Sequence, residues 1–330
     1  MSSDTLLTIA IPTYNRHENL EVLLLSIISQ LEKSLENKIE VIICDNASTD
    51  DTALVADRLL SKIKNSNYYS SEINVGMDLN FKKCFDLASS KYFWMIGDDD
   101  YLLPGALPTV IRLLEKNESI DLVYVSSTIR EDLRDNEKNN NIIYTASKDE
   151  FIDKVGIMIT FISGVISNKE KYLTYRNNRN DESFVGIFLM HLSWQFSLLK
   201  EGEWFAIIKD NIIKATPDNS GGYKIFTVFS KNLTIILDLF FKRESFFSKK
   251  IRFSSMLFLI NFIGKPEKKK NHKSEDYISV CDFTYNDIPI YTFFFKYLYK
   301  YPVLAKLYCA IKDTVKVFLK FIKKLSNSKQ

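Results

Sequence analysis

Apolar positions in the first 125 residues switch repeatedly between two periods. Residues 6–11 form a nearly continuous apolar run, as in a strand buried on both faces. Residues 15–31 instead set Leu20, Leu23, Leu24, Ile27, Ile28 and Leu31 at helical spacing. Residues 39–44 read as a second buried strand. Thr49 then stands where it can cap a helix running to Leu60, with Asp50 and Asp51 in its first turn, where the helix dipole favours acids. A short strand at 67–70, a helix at 78–88, a strand at 92–96 and a helix opened by Pro104 continue the rhythm. Such alternation predicts an α/β fold, a mainly parallel central sheet flanked by helices. Right-handed crossovers bring strand C-termini to one edge, where open α/β sheets bind ligands. The polar residues gather at that edge, at 13–16, 45–50, 74–76 and 98–100.

The pattern is less regular afterwards. Residues 132–141 are charged and Asn-rich, which predicts a loop over the sheet. Residues 158–166 read as a buried strand, 183–199 as a helix and 204–213 as strand pairs. Residues 219–223 (Asn-Ser-Gly-Gly-Tyr) read as a turn. From residue 225 the pattern turns helical and basic. Residues 242–330 carry 19 Lys and Arg against 7 Asp and Glu, and the preceding residues 25 against 34, so an overall charge of +3 hides an acidic front and a basic tail. In the tail, Leu304, Leu307, Tyr308, Ile311, Val315, Phe318, Leu319, Ile322 and Leu325 recur at helical spacing with lysines on the flank. Upstream, residues 291–301 interleave aromatics with Lys296 and Lys300. This is the pattern of a basic amphipathic helix at an anionic membrane surface. A helix packed on the main domain with a solvated lysine face is the competing reading. No nucleic-acid-binding signature accompanies the charge, so no nucleic acid is expected.

Composition narrows the class. The 46% hydrophobic and 13% aromatic content of the 330 residues fits a large folded domain plus an appendage, and 10 Gly with 7 Pro argue against a loop-rich all-β fold. Cys44, Cys84, Cys281 and Cys309 form no closely spaced pair, which excludes a zinc site or disulfide framework of the usual spacing. No signal-peptide pattern and no apolar run of spanning length is visible, so the expected location is the cytoplasm, peripheral on the inner face of a plasma membrane.

The sharpest chemical feature is Gly97-Asp98-Asp99-Asp100, directly after an apolar strand. Three adjacent carboxylates repel one another unless a cation neutralises them. A hard divalent ion with oxygen ligands suits the place, and a nucleotide diphosphate would complete its coordination.

These residues resemble the family 2 glycosyltransferases of the GT-A fold. The matching stretches are residues 9–16 (Ile-Ala-Ile-Pro-Thr-Tyr-Asn-Arg), 41–50 (Val-Ile-Ile-Cys-Asp-Asn-Ala-Ser-Thr-Asp), 74–76 (Asn-Val-Gly) and 97–105 (Gly-Asp-Asp-Asp-Tyr-Leu-Leu-Pro-Gly), four motifs in the family's order. The Gly-Asp-Asp-Asp form and Phe161-Ile162-Ser163-Gly164 resemble the abequosyltransferase-like branch, which builds bacterial surface polysaccharides such as O-antigen. The resemblance implies a GT-A domain at 1–225, with a nucleotide-sugar half to about residue 115 and an acceptor half at 116–225, followed by a helical extension at 226–330. It implies a nucleotide-diphosphate sugar donor held by Pro12, Thr13, Tyr14, Arg16, Asp45, Asn74, Gly76 and Asp98. It also implies a divalent metal (Mn2+ or Mg2+) on Asp99 and Asp100, and a lipid-linked saccharide acceptor. Family members usually read Asp-x-Asp-Asp at this point, and here Gly97 stands at the first Asp. They usually take their base from a Glu-Asp pair about a dozen residues before a Gly. Counting back from Gly202 puts His191 there, with Asp181 and Glu182 as runners-up. The implied reaction is an inverting transfer, in which the base deprotonates the acceptor hydroxyl. A sugar-1-phosphate nucleotidyltransferase would show a Gly-rich loop with Arg and Lys after the first strand, which residues 12–16 lack. A catalytically silent saccharide-binding or scaffold subunit is the alternative from another class, kept open by Gly97 and the missing Glu-Asp pair.

Overall fold

In a computed structural model of the chain, the structure describes residues 5–128, 142–145, 147–175, 181–216, 222–263, 275–312 and 314. The first part runs β1 (Leu7–Thr13), α1 (His17–Ile28), β2 (Ile39–Asp45), α2 (Thr52–Leu60), β3 (Ser66–Ser70), α3 (Met77–Leu87) and β4 (Tyr92–Met95). It continues through β5 (Tyr101–Leu102), α4 (Ala106–Lys116), β6 (Leu122–Ser127), β7 (Ile142–Thr145), α5 (Lys148–Val155), β8 (Val165–Asn168), α6 (Lys169–Tyr175), α7 (Leu192–Glu201) and β9 (Phe205–Lys214). The strands form one sheet in the order β3-β2-β1-β4-β8-β6-β9-β5, with β7 also on β9.

The expected parallel half is β3-β2-β1-β4, in which each neighbouring pair is parallel. Beyond β4 the sheet is mixed: β8 runs antiparallel to both β4 and β6, β6 and β9 are parallel, and β5 and β7 pair antiparallel with β9. Because strand side chains alternate between faces, the apolar runs feed two cores. Leu7, Ile9 and Ile11 join Val41, Ile43 and Trp94 under α1, α2 and α4, whereas Ala10, Ile42, Cys44, Phe93 and Met95 join the cluster built from α3, α5, α7 and the helix at residues 233–240.

Several sequence-based expectations change in detail. Helix α1 begins at His17 rather than residue 15, because Asn15 takes φ +52° and Arg16 φ −143°, both outside helical geometry. The strand expected at 158–166 is two 3-10 turns, Gly156–Thr160 and Ile162–Gly164, and becomes a strand only at Val165. The helix expected at 183–199 is a 3-10 turn at Asp181–Phe184 followed by loop, with α7 starting at Leu192. The physical reason is Asp78. Its buried carboxylate accepts the backbone N–H of Gly186 at 2.9 Å, Phe188 at 2.9 Å and Met190 at 3.3 Å, which takes those donors out of any helix ladder. Phe188, at φ +63°, could not continue one. The strand pairs expected at 204–213 are one long strand, Phe205–Lys214, and β6 and β7 have no counterpart in the sequence reading. The loop expected at 132–141 and most of the turn at 219–223 lie outside the described residues.

The extension contains a π-helical turn at Thr227–Asn232, then α8 (Leu233–Phe240), α9 (Phe246–Ile260), α10 (Tyr277–Tyr285), a π-helical turn at Tyr291–Phe295 and α11 (Lys296–Lys300). Residues 302–312 are helical too, while Val315, Phe318, Leu319, Ile322 and Leu325 lie outside the described residues. Ile225 and Phe226 open a third cluster that includes Met256, Tyr285, Tyr291 and Tyr299. Arg252, 2% exposed, staples it by donating to the Thr284 carbonyl at 2.6 Å and to both carboxylate oxygens of Asp287 at 2.6 and 2.8 Å.

Candidate active site

The ends of β1, β2 and β4 lie side by side because the strands are parallel and in register, with Thr13 opposite Asp45. Their loops are tied by short polar side chains. Asn15 donates its backbone N–H to Ser48 Oγ at 2.8 Å, and its Oδ1 accepts the Thr49 N–H at 2.7 Å. Asn15 and Ala47 both hold positive φ, at +52° and +67°. Such left-handed conformations are costly outside glycine and collect at functional sites. Asn46 spans to the next loop: its Nδ2 donates to Asn74 Oδ1 and its Oδ1 accepts from the Val75 N–H, both at 2.9 Å. Gly76 sits at φ +86° in front of α3, and a Cβ there would meet nothing within 4 Å. Its requirement is conformational rather than one of close approach.

The three carboxylates diverge. Asp98 is buried, accepts Arg16 Nη1 at 2.8 Å and Thr13 Oγ1 at 2.8 Å, and is pushed up to about 6 because burial outweighs the Arg16 guanidinium. Asp100 is buried on the other side, accepting Ser163 Oγ at 2.5 Å and the Thr216 N–H at 3.1 Å. Burial, and then repulsion from Asp99, push it up to about 7. Asp99 lies between them with its side chain 19% exposed and 3.9 Å from Arg16 Nη1. Gly97 explains how they fit. A Cβ built on it would come within 2.8 Å of Asp99 Oδ1 and 3.6 Å of Asp100 Oδ2, so oxygens of both carboxylates lie over the bare glycine. Ser163 completes the support: its Oγ accepts the Gly97 N–H at 2.9 Å and its carbonyl accepts Trp94 Nε1 at 2.8 Å.

The residues expected to hold the donor therefore separate into two kinds. Tyr14, Arg16, Asn74 and Gly76 reach the surface, whereas Pro12, Thr13 and Asp45 are buried. Asp45 already accepts three hydrogen bonds, from the Ser48 N–H at 3.0 Å, Ser48 Oγ at 2.5 Å and the Tyr68 hydroxyl at 2.5 Å. It shapes the loop from beneath. Sequence reading missed Asn46, Tyr68, Thr216 and Asp78. Their partners lie 23 to 117 residues away, and no local pattern encodes such pairs.

His191 is not open to solvent. Its ring is 2% exposed, Nε2–H donates to the Thr160 carbonyl at 3.0 Å, and burial lowers its pKa to about 4. The remaining nitrogen, Nδ1, is buried with no hydrogen-bond partner. A base has to present its lone pair to an incoming hydroxyl, and in this structure His191 presents none. Asp181 and Glu182 fall in the 3-10 turn Asp181–Phe184.

The family model described as glycosyl transferase family 2 matches residues 8–186, which takes in the whole strand-end constellation. The chain belongs to that family. Abequosyltransferase RfbV of Salmonella typhimurium is 31% identical over 185 residues, covering 51% of this chain and 54% of that protein. The GalNAc(5)-diNAcBac-PP-undecaprenol beta-1,3-glucosyltransferase of Campylobacter jejuni is 30% identical over 186 residues, covering 54% and 56%. The chain thus spans about half the length of the curated relatives it matches. Among solved structures, S. aureus TarS 1-349 superposes with a TM-score of 0.60 at 13% identity, covering 86% of this chain and 81% of that one. The same protein in complex with UDP-GlcNAc gives 0.59 at 14% identity, covering 86% and 82%. The mixed sheet and its flanking helices are the GT-A architecture that the family match and this likeness share.

Proposed function

We propose that this family 2 domain transfers a sugar from a nucleotide-diphosphate donor to a saccharide hydroxyl during synthesis of a bacterial surface polysaccharide. One observation carries the reading: four loops converge on one sheet edge, and the most open of three carboxylates, Asp99, stands between two that are held in place by Arg16, Thr13, Ser163 and Thr216. Tyr14 offers an exposed ring for a nucleobase, and Asn74 and Gly76 shape the loop beside it. Asp45 acts through that loop.

Among the described residues no three His, Cys, Asp or Glu side chains group to hold a metal ion by themselves. The residues present nonetheless fit a shared ion: oxygens of Asp99 and Asp100 lie over Gly97, where a side chain would have filled the space. Asp99 and Asp100 would hold the cation, and the donor diphosphate would supply its other oxygens. A bound divalent ion would neutralise charge on the departing diphosphate. Arg16 fixes Asp98 and keeps cationic charge beside the same group.

For an inverting transfer, Asp181 or Glu182 is the base we propose in place of His191. The acceptor is lipid-linked in our reading. That is supported by the Campylobacter relative, whose name places its saccharide on PP-undecaprenol, and by the basic character of residues 242–330, which suits an anionic membrane surface. Among the described residues no helix is long and apolar enough to cross a membrane. We keep the division near residue 225, since Ile225 and Phe226 already belong to the extension's cluster.

The burial of His191 favours one other reading, a silent saccharide-binding subunit. Incubating the purified protein with a panel of nucleotide-diphosphate sugars and a lipid-linked acceptor, with and without Mn2+ or Mg2+, separates the two. The expected outcome is metal-dependent product formation, retained within a few-fold in His191→Gln. Binding without turnover across the panel would establish the silent reading.

A further inference from the structure

Among the described residues, no other part of the chain covers one apolar face of the extension. Residues 288–312 contain four lysines and no Asp or Glu. The helical pieces they form are apolar on two sides. Tyr291, Phe295, Leu298, Tyr299 and Ala305 are buried in the third cluster. On the opposite side Ile290, Phe293, Phe294, Tyr297, Leu304 and Ile311 are exposed, Phe293 at 81%. The first four follow helical spacing, so they share a side, and a helix that is apolar all round belongs in a core or against an apolar medium.

The face continues into a cavity of about 380 Å3 lined by Phe246, Phe253, Ile288 and Pro289 together with Lys249, Lys250, Arg252 and Asp287, whose carboxylate Arg252 already holds. The join is through rings: Phe253 meets Phe295 edge-on at 6.3 Å, and Phe295 meets Phe294 at 5.0 Å. Lys300, Lys306 and Lys312 are exposed along the same stretch.

We propose that this face lies on an anionic lipid bilayer. Phe293, Phe294 and Tyr297 enter the boundary between headgroups and acyl chains, and Lys300, Lys306 and Lys312 meet lipid phosphates. The proposal rests on the membrane reading above and deepens it. It assigns the apolar insertion to residues 290–301 rather than to the lysine-rich tail beyond, so part of the binding resists salt. Charge selects the bilayer over a second copy of the chain. A two-fold contact through this face would set lysines against lysines, with no acidic residue in 288–312 to answer them. The face is also firmly held within the extension. Phe226 stacks on Tyr277 at 4.7 Å and meets Tyr299 at 6.4 Å, and Tyr299 donates its hydroxyl to the Met256 carbonyl at 2.6 Å.

The test is co-sedimentation of the full-length protein with vesicles of phosphatidylglycerol mixed into phosphatidylcholine, at low and high salt, for the native chain and for the double variant Phe293→Ser with Phe294→Ser. Both side chains are exposed, and unchanged nucleotide affinity confirms an intact fold. The expected result is binding by the native chain that partly survives high salt, weakened on the order of tenfold or more in the double variant. Native binding that the double variant reproduces would overturn this inference while leaving the tail as a membrane contact. No binding to anionic vesicles by the native chain would remove the membrane reading itself. A native dimer in light scattering that the double variant breaks, without vesicle binding, would hand the face to a second copy.

Discussion

The loops at the ends of β1, β2 and β4 and the segment 181–191, which the family match reaches only as far as residue 186, are held in opposite ways. The strand-end loops are built from short polar side chains that bond one another in a mesh: Asn15 to Ser48 and Thr49, Asn46 to Asn74 and Val75, Asp45 to Ser48 and Tyr68. Segment 181–191 hangs on one buried carboxylate, Asp78, which gathers three backbone N–H groups. A mesh spreads the loss of any one member over its neighbours, whereas a single collector fails at once.

Three experiments bear on that difference. The largest effect belongs to the edge. Asp99→Ala should lower turnover about a thousandfold, roughly 4 kcal/mol of barrier, and abolish the metal dependence of nucleotide affinity in titration calorimetry. Affinity that still responds to Mn2+ would take the ion away from Asp99. Next is Asp78→Ala, which strips the buried Met190 N–H and the part-buried Gly186 and Phe188 N–H of their acceptor and should cost about 2 kcal/mol in urea unfolding. An unchanged midpoint would show that 181–191 has other support. The smallest effect is a pH dependence. Asp98 and Asp100 have folded pKa values raised to about 6 and about 7, so between pH 4 and 7 the folded state binds more protons than the unfolded one. Stability of the metal-free protein is then fully present at the acid end and falls as pH rises through that window. The shifts bound the loss at about 7 kcal/mol, and water entering the metal-free site as the acids ionise screens most of it. The expected outcome is a Tm lower by a few degrees at pH 8 than at pH 5. A Tm that rises across that range would contradict the burial of both acids.

The same contrast decides what could be read from the chain alone. Strands β1, β2 and β4 are continuous apolar runs, their loops follow immediately, and parallel pairing brings them together, so the gathering of Tyr14, Arg16 and Asp99 at one sheet edge is legible, whereas Asn74, beyond the short β3, is tied in through Asn46. The division of labour among the three aspartates was not, because Arg16 reaches Asp98 across 82 residues and Ser163 reaches Asp100 across 63. Counting back from Gly202 along what is indeed the regular helix α7 leads to His191, but the fold turns that ring inward, against Phe81 and the Thr160 carbonyl, a direction set by contacts distant in sequence. The second half of the sheet was equally opaque. Its antiparallel β8 is four residues long and follows two 3-10 turns, too short a stretch for any period to register.

The bare Cα of Gly97 has a consequence for how this domain can diversify. Restoring the family's usual aspartate at that position would push first on the Asp99 carboxylate, 2.8 Å from the incoming carbon, before it touched anything else. Positions 97 and 99 are therefore coupled: an acid introduced at 97 turns the far end of the Asp99 side chain aside, and so re-aims the carboxylate that we propose faces the cation.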